Sequence, residues 1–253
     1  MSDDPSGKRP RRAASAPRFV RASWDRLSWV YRPRGRSDDC FAHTVADYRR
    51  WLRPLVTGLP REAEVLDLGC GTGLPADRIL AGRFRLTGVD VSDVMVRRAR
   101  GNVPTARFRR VDMTEARFPP GSFDAVIALY SIIHVPRRVQ RPLFRRVGSW
   151  LRPGGLLLAV LGHDAYEGVE RDWLGAGVPM YWSHADAATY RRWLDAAGFT
   201  VLRQEFVPEG EGGHELFLAR KRRRAPAGTS PRVTLAARRP TRRSRPRSAA
   251  PRA

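Results

Sequence analysis

Residues 64–75, EVLDLGCGTGLP, constrain the fold of this chain more than any other stretch. Val65, Leu66 and Leu68 make a short apolar run that reads as a buried strand, too short for a helix of its own. Gly69, Gly71 and Gly73 alternate through the turn that follows. Glycine lacks a Cβ, so such a turn can take positive φ and let a ligand lie against bare backbone. Thr72 and Pro75 suit the start of a helix, where N–H groups wait for partners. A strand running into a glycine turn and then a helix places a nucleotide-type site at the carboxyl end of the first strand of a doubly wound sheet.

The next apolar run, RLTGVD over residues 85–90, ends in an acid. Asp90 lies 21 residues after Gly69, the spacing of a carboxylate that receives ribose hydroxyls. Ser92 is the better helix cap, because Val94, Met95 and Ala99 follow it at helical spacing. The dinucleotide pattern Gly-x-Gly-x-x-Gly fits less well, since the third glycine comes one residue early and Leu74 takes its place.

With these residues in view, the stretch 67–73 resembles the first motif of class I S-adenosylmethionine-dependent methyltransferases. Asp90 then resembles their ribose-binding acid, and Val111, Asp112 and Met113 their adenine-contacting motif. Residues 118–126 resemble the approach to strand four, and residues 151–155 (LRPGG) the turn into strand five. The five motifs keep their order over roughly residues 60–162. The resemblance implies a Rossmann-like α/β fold of seven strands, mostly parallel with an antiparallel last strand, and helices on both faces. It implies S-adenosyl-L-methionine as cofactor, held by Asp67, Gly69, Cys70, Gly71, Gly73, Asp90, Val91, Asp112, Met113, Leu129 and Tyr130.

The rest of the chain reads as alternating strands and helices, the pattern of a parallel sheet covered on both faces. Strands are expected at 64–68, 85–89, 106–111, 124–129 and 155–161, with helices at 73–82 and 93–100. A further helix carries Leu143, Val147, Trp150 and Leu151 on one side. Residues 162–184 read as a long irregular loop, aromatic and acidic, fit to wall a substrate pocket. Ser183, with Asp186 three residues on, reads as the capping box of a helix that ends at Gly198. Two strands, 199–206 and 214–219, close the domain. Upstream, Phe41, Val45, Tyr48, Leu52 and Leu55 mark an amphipathic helix ending near Pro54. Before it, Trp24, Leu27, Trp29, Val30 and Tyr31 lie among arginines, as a packed amphipathic element or a lid over the substrate. The organisation is thus a disordered basic tail (1–17), a helical or lid segment (18–59), the cofactor-binding domain (60–219) and a disordered Arg/Pro-rich tail (220–253).

The net charge of +22 over 253 residues points to nucleic acid until it is located. Residues 1–36 carry +7 and residues 220–253 carry +13, which leaves +2 for everything between. Two cysteines, Cys40 and Cys70, are too few for a disulfide framework or a structural zinc site, and no metal site is proposed. No secretory leader and no apolar run near 18 residues is visible, so the protein reads as soluble, cytoplasmic and free of membrane contact. Its Arg, Ala, Gly and Pro usage points to a GC-rich bacterial genome.

The acceptor is narrowed by elimination within the resemblance. Residues 129–132 are LYSI rather than Asn/Asp-Pro-Pro-Tyr, no cysteine follows strand four, and residues 37–219 contain no lysine. A small molecule methylated on O or N is left as the favoured partner. Much of the catalysis is then alignment and desolvation, with a base needed only if the acceptor starts protonated. His134 and His184 are the candidate bases. Tyr31, Tyr181 and Trp182 join them as candidate pocket residues; His43, His163 and His214 are weaker. Two other readings stay open: a nucleic-acid-associated protein acting through its arginine tails, and a cofactor-binding relative without turnover.

Overall fold

The computed structural model describes residues 16–31 and 43–223. The tails, and the readings made of Cys40 and Phe41, lie largely outside the described residues. Among the described residues, nine strands and six α-helices run in the order α1 (Ala16–Tyr31), α2 (Val45–Gly58), β1 (Glu64–Leu68), α3 (Ala76–Ala81), β2 (Arg85–Asp90), α4 (Asp93–Asn102), β3 (Arg107–Arg110) and β4 (Phe123–Ala128). There follow α5 (Arg137–Trp150), β5 (Leu151–Gly162), β6 (Tyr166–Glu170), β7 (Met180–His184), α6 (Ala187–Ala196), β8 (Phe199–Glu209) and β9 (Gly212–Lys221).

Seven strands form one sheet in the order β3-β2-β1-β4-β5-β9-β8, and β6 pairs only with β7. Strands β1 to β5 are parallel; β9 runs antiparallel between β5 and β8. This is the doubly wound architecture the resemblance implies. Its chain order steps outward from β1 to β3 and then jumps to β4 on β1's other side, so the turns after β1 and β4 flank a crevice.

Alternation along the strands divides the core in two. Leu66, Leu68, Val126 and Leu157 pack against α5 and α6 through Leu143, Phe144, Val147, Tyr190 and Leu194. Val65, Ala125, Ile127 and Leu158 point the other way, onto Trp51, Leu52 and Leu55 of α2 and Leu80 of α3. Parallel strands buried on both faces read as continuous apolar runs, which is why β1, β4 and β5 stand out in the sequence.

Several boundaries differ from the sequence reading. Helix α2 passes Pro54 and ends at Gly58, because Leu55 is fully buried and Val56 and Leu59 pack beside it. That packing outweighs the hydrogen bond the proline cannot make. Helix α3 starts only at Ala76, since the glycine turn stays non-helical through Gly73. Residues 162–184 are no irregular loop but hold the β6–β7 hairpin, missed because β6 is largely solvent-exposed and has no apolar alternation. Asp186, not Ser183, caps α6, accepting from the Thr189 N–H at 2.7 Å. Ser183 lies buried in β7, where its Oγ accepts from the Arg137 N–H at 2.8 Å. Helix α1 begins two residues inside the stretch assigned to the tail, and β9 ends two residues beyond the expected domain limit.

Leu143 is buried in the α5 face of the core and takes no part in the crevice. Leu143→Ala is expected to cost about 2–5 kcal/mol of stability, measured by urea unfolding.

Candidate active site

At the carboxyl edge of β1, β2 and β4 lies a cleft of about 1020 Å³, counting the part that opens to solvent. Asp67, Gly69, Cys70, Gly71 and Thr72 from the first turn line it, with Asp90 and Val91 after β2. Asp112, Met113, Leu129, Tyr130, Ser131 and His134 line it as well. Gly73, read as a cofactor contact, does not line the cleft; it packs the turn onto Ala99 and Val103 of α4.

The turn explains its own glycines. Gly69 sits at φ +84°, and a Cβ there would come within 2.3 Å of the Ser131 Cβ. Only glycine lets the β1 and β4 turns close on each other, and Ser131 completes the contact by donating to the Leu68 carbonyl. Asp90 ties the turn to the next strand: its Oδ2 accepts from the Gly71 N–H and its Oδ1 from the Ser92 N–H, both at 2.9 Å. Ser92 caps α4, accepting from the Met95 N–H at 3.0 Å. Asp112 Oδ1 accepts from the N–H and hydroxyl of Thr114, both at 2.8 Å, which leaves Oδ2 outside those bonds.

Charge in the cleft is negative and expensive. Burial pushes the Asp90 carboxyl up to about 6, against the hydrogen bonds from Ser92 and Gly71. Asp77 of α3, fully buried beneath the turn, is pushed up to about 7, again chiefly by burial. Asp67 beside it is raised well above the ordinary carboxylate range by burial and by the negative charge of Asp77. Both oxygens of Asp77 and Oδ1 of Asp67 lack a donor among the described residues, as does the Thr72 hydroxyl oxygen. Burial, with the charges of Asp77, Asp90 and Asp67, also raises the Cys70 thiol well above its usual value, so it is no nucleophile.

The histidines gather on the same edge. His134, in the 3₁₀ turn Ile132–His134, is 7% exposed, and its Nδ1 lies 2.8 Å from the Tyr181 carbonyl oxygen. A carbonyl only accepts, so Nδ1 carries the hydrogen and Nε2 the lone pair. Burial lowers the His134 pKa to about 4. Its ring lies among Trp24, Trp173 and Trp182, at centroid distances of 5.5, 6.4 and 4.5 Å. Of the other candidates, Tyr31 lines the cleft, while Tyr181 and Trp182 stand behind His134. His184 does not line it; its Nδ1 donates to the Asp164 carbonyl at 2.6 Å.

One array went unread in the sequence. Tyr130, at φ +57°, places its hydroxyl 2.6 Å from both His43 Nε2 and Glu209 Oε1. Glu209 Oε1 also lies 3.2 Å from His43 Nε2 and 3.1 Å from His214 Nδ1. Burial works against ionising Glu209, yet its bonds from His214, His43 and Tyr130 prevail and hold it at about 2. The four residues are up to 171 positions apart in sequence, so no local spacing announces them.

A methyltransferase-domain family model matches residues 65–155, the stretch that builds this cleft. Over that stretch the chain is similar to the methyltransferase-domain family. The chain is 31% identical over 126 residues to a putative methyltransferase, YqeM, of Bacillus subtilis (strain 168), covering 48% of this chain and 50% of that protein. It is 38% identical over 100 residues to the 27-O-demethylrifamycin SV methyltransferase of Amycolatopsis mediterranei (strain S699), over 37% of this chain and 36% of that one. The chain thus spans half or less of these curated relatives. Solved structures share the methyltransferase fold at lower identity. The [4+2]-cyclase SpnF matches with a TM-score of 0.63 at 22% identity, over 81% of this chain and 95% of that one. A Methanosarcina mazei methyltransferase matches at 0.59 and 18%, over 68% and 98%.

The residues of this methyltransferase cleft fit the family's cofactor. The ammonium and sulfonium of S-adenosylmethionine would set positive charge near the buried carboxyl of Asp67, whose Oδ1 has no hydrogen-bond partner among the described residues. Among the described residues no group of His, Cys, Asp and Glu is placed to hold a metal, and no helix is long and apolar enough to cross a membrane.

The raised carboxyls set a pH signature. A carboxyl whose folded pKa lies above its unfolded value adds stability at low pH and loses it as pH rises through the folded value. For Asp77 that loss runs from the ordinary value of 3.8 up through about 7. His134, lowered to about 4, opposes it only below 6.5. Between pH 6.5 and 8 the melting temperature of the unliganded protein is therefore expected to fall, and Asp77→Asn to flatten that fall, as followed by scanning calorimetry.

Proposed function

We propose that the chain binds S-adenosylmethionine in this cleft and transfers its methyl group to an O or N atom of a small molecule. The observation that carries the reading is the convergence of Asp67, the glycine turn, Asp90, Asp112 and Met113 on one space, where Oδ1 of Asp67 and the Thr72 hydroxyl have no hydrogen-bond partner among the described residues. The backbone of Gly69 and Gly71 and the side chain of Asp67 would receive the methionine part, Asp90 the ribose, and Asp112 with Met113 the adenine. The cofactor supplies an already activated methyl group. The protein's own part is to exclude water, orient the acceptor and give its proton a place to go.

His134 fits that last role. Its Nδ1 is committed to the Tyr181 carbonyl, and Nε2 makes no hydrogen bond among the described residues. A pKa of about 4 keeps it unprotonated throughout the neutral range. So weak a base suffices, because a newly methylated oxygen or nitrogen that still carries its proton is far more acidic than the free acceptor. Helix α1 supplies the cover: Val20, Trp24 and Tyr31 line the cleft from above α4. Asp25 accepts from the Ser92 hydroxyl at 2.6 Å, and Arg21 donates to Asp93 at 2.5 Å. The small-molecule acceptor is consistent with the rifamycin-modifying relative.

Calorimetric titration of the full chain with S-adenosylhomocysteine, beside NAD, tests the reading. Micromolar binding of the former alone is expected. Asp90→Ala is expected to weaken it at least tenfold, about 1.4 kcal/mol; unchanged affinity would remove the ribose assignment.

A further inference from the structure

Helix α5 carries five arginines, Arg137, Arg138, Arg141, Arg145 and Arg146, and no acid. Its buried side holds Leu143, Phe144, Val147 and Trp150. Arg137 pairs with Glu167 of β6, and Arg146 donates to the carbonyls of Thr114 and Ala116. The other three arginines are exposed, and among the described residues none of them makes a hydrogen bond or an ion pair. Spacings of three and four residues set Arg138, Arg141 and Arg145 on one face of the helix. This row of one sign stands on a domain whose residues 37–219 sum to only +2.

The fold does not reward the row. Cations three and four residues apart on a helix repel each other. Arg137 and Arg138 also stand in the first turn, where the helix dipole favours acids. The apolar side holds the helix in place in spite of them. A polyanion laid along the row turns that repulsion into attraction.

The chemistry of the face selects the polyanion. Arg138 and Arg145 are seven residues apart. That is about 10 Å along the axis, over which one strand of a nucleic-acid duplex presents about three phosphates. A guanidinium fork binds two phosphate oxygens at once. No large apolar side chain of α5 is exposed, so the face has nothing to sink into a lipid surface and no anchor for a protein partner. A second run of cations, residues 220–253 at +13, lies elsewhere in the chain. A long phosphate backbone is a partner that serves both.

We infer that the α5 face built on Arg138, Arg141 and Arg145 binds the phosphate backbone of a nucleic-acid duplex without reading its sequence. This contact is separate from methyl transfer and holds or fails independently of it.

Anisotropy titration of the full chain with a fluorescently labelled DNA duplex, repeated between about 50 and 200 mM KCl, gives the dependence of affinity on salt. Each phosphate contact adds about 0.9 to the slope of log K against log salt. The triple variant Arg138→Gln, Arg141→Gln, Arg145→Gln is therefore expected to reduce that slope by about 2 to 3. Should the variant not fold, phenylglyoxal modification of the wild-type chain, read by mass spectrometry, decides: the duplex is expected to protect these three arginines. A slope that the triple variant leaves unchanged overturns the inference, as does absence of duplex binding at the lowest salt. So does protection of the three arginines by phosphatidylserine vesicles or by polyglutamate that the duplex does not match.

Discussion

The carboxylate of Asp90 holds the site together. One oxygen takes the N–H of Gly71, in the turn after β1, and the other takes the N–H of Ser92, at the head of α4. Two crossovers of the sheet are thereby fixed to one buried anion. Parallel pairing of β1 and β2, register Leu68 to Val89, delivers the two turns side by side. Without the anion their N–H groups would face each other across the carboxyl edge with no common acceptor. The arrangement works against itself electrostatically, because Asp67 and Asp77 are buried close by.

From that anion the rest of the cleft follows by linkage. Ser92, positioned by Asp90, also donates to Asp25, and so draws α1 down onto α4. The guanidinium of Arg98 lies 3.9 Å over the Trp29 ring and donates to Ser28, extending the seam along both helices. Once α1 is seated, Trp24 reaches His134, and the β6–β7 hairpin meets it from the other side through Trp182 and the Tyr181 carbonyl. The His134 ring that lines the cleft is therefore oriented by two elements outside the sheet, each bonded to the sheet's own turns.

The parts written in local sequence were legible: strands buried on both faces, a turn that only glycine can make, and an acid at a set distance. Val65 and Leu66 announce β1 because both faces of the sheet need apolar side chains, and Ser92 announces α4 because helix caps are local chemistry. What was not legible depends on polar surface or on long-range meeting. The exposed hairpin β6–β7 carries no apolar period. Helix α2 runs through Pro54 on the strength of packing against residues elsewhere in the chain. Glu209 and His43 become partners only when the last hairpin folds back beside the start of α2. Nothing in the local sequence marks Asp77, an acid in the first turn of α3, as fully buried; only the fold shows it.

Strand β9 is the last of the sheet to be synthesised and yet lies inside it, flanked by β5 and β8. Its antiparallel course brings its first residues, with His214, to the same edge as the ends of the parallel strands, where Gly162 pairs with His214. A nascent chain thus holds β1 to β5 for some time with one interior edge open. It gains the Glu209–His214 pair that holds the Tyr130 hydroxyl only when that final segment slides into place. The residues that line the cleft are thus all made before that strand, and the bonds that fix the Tyr130 hydroxyl arrive after them.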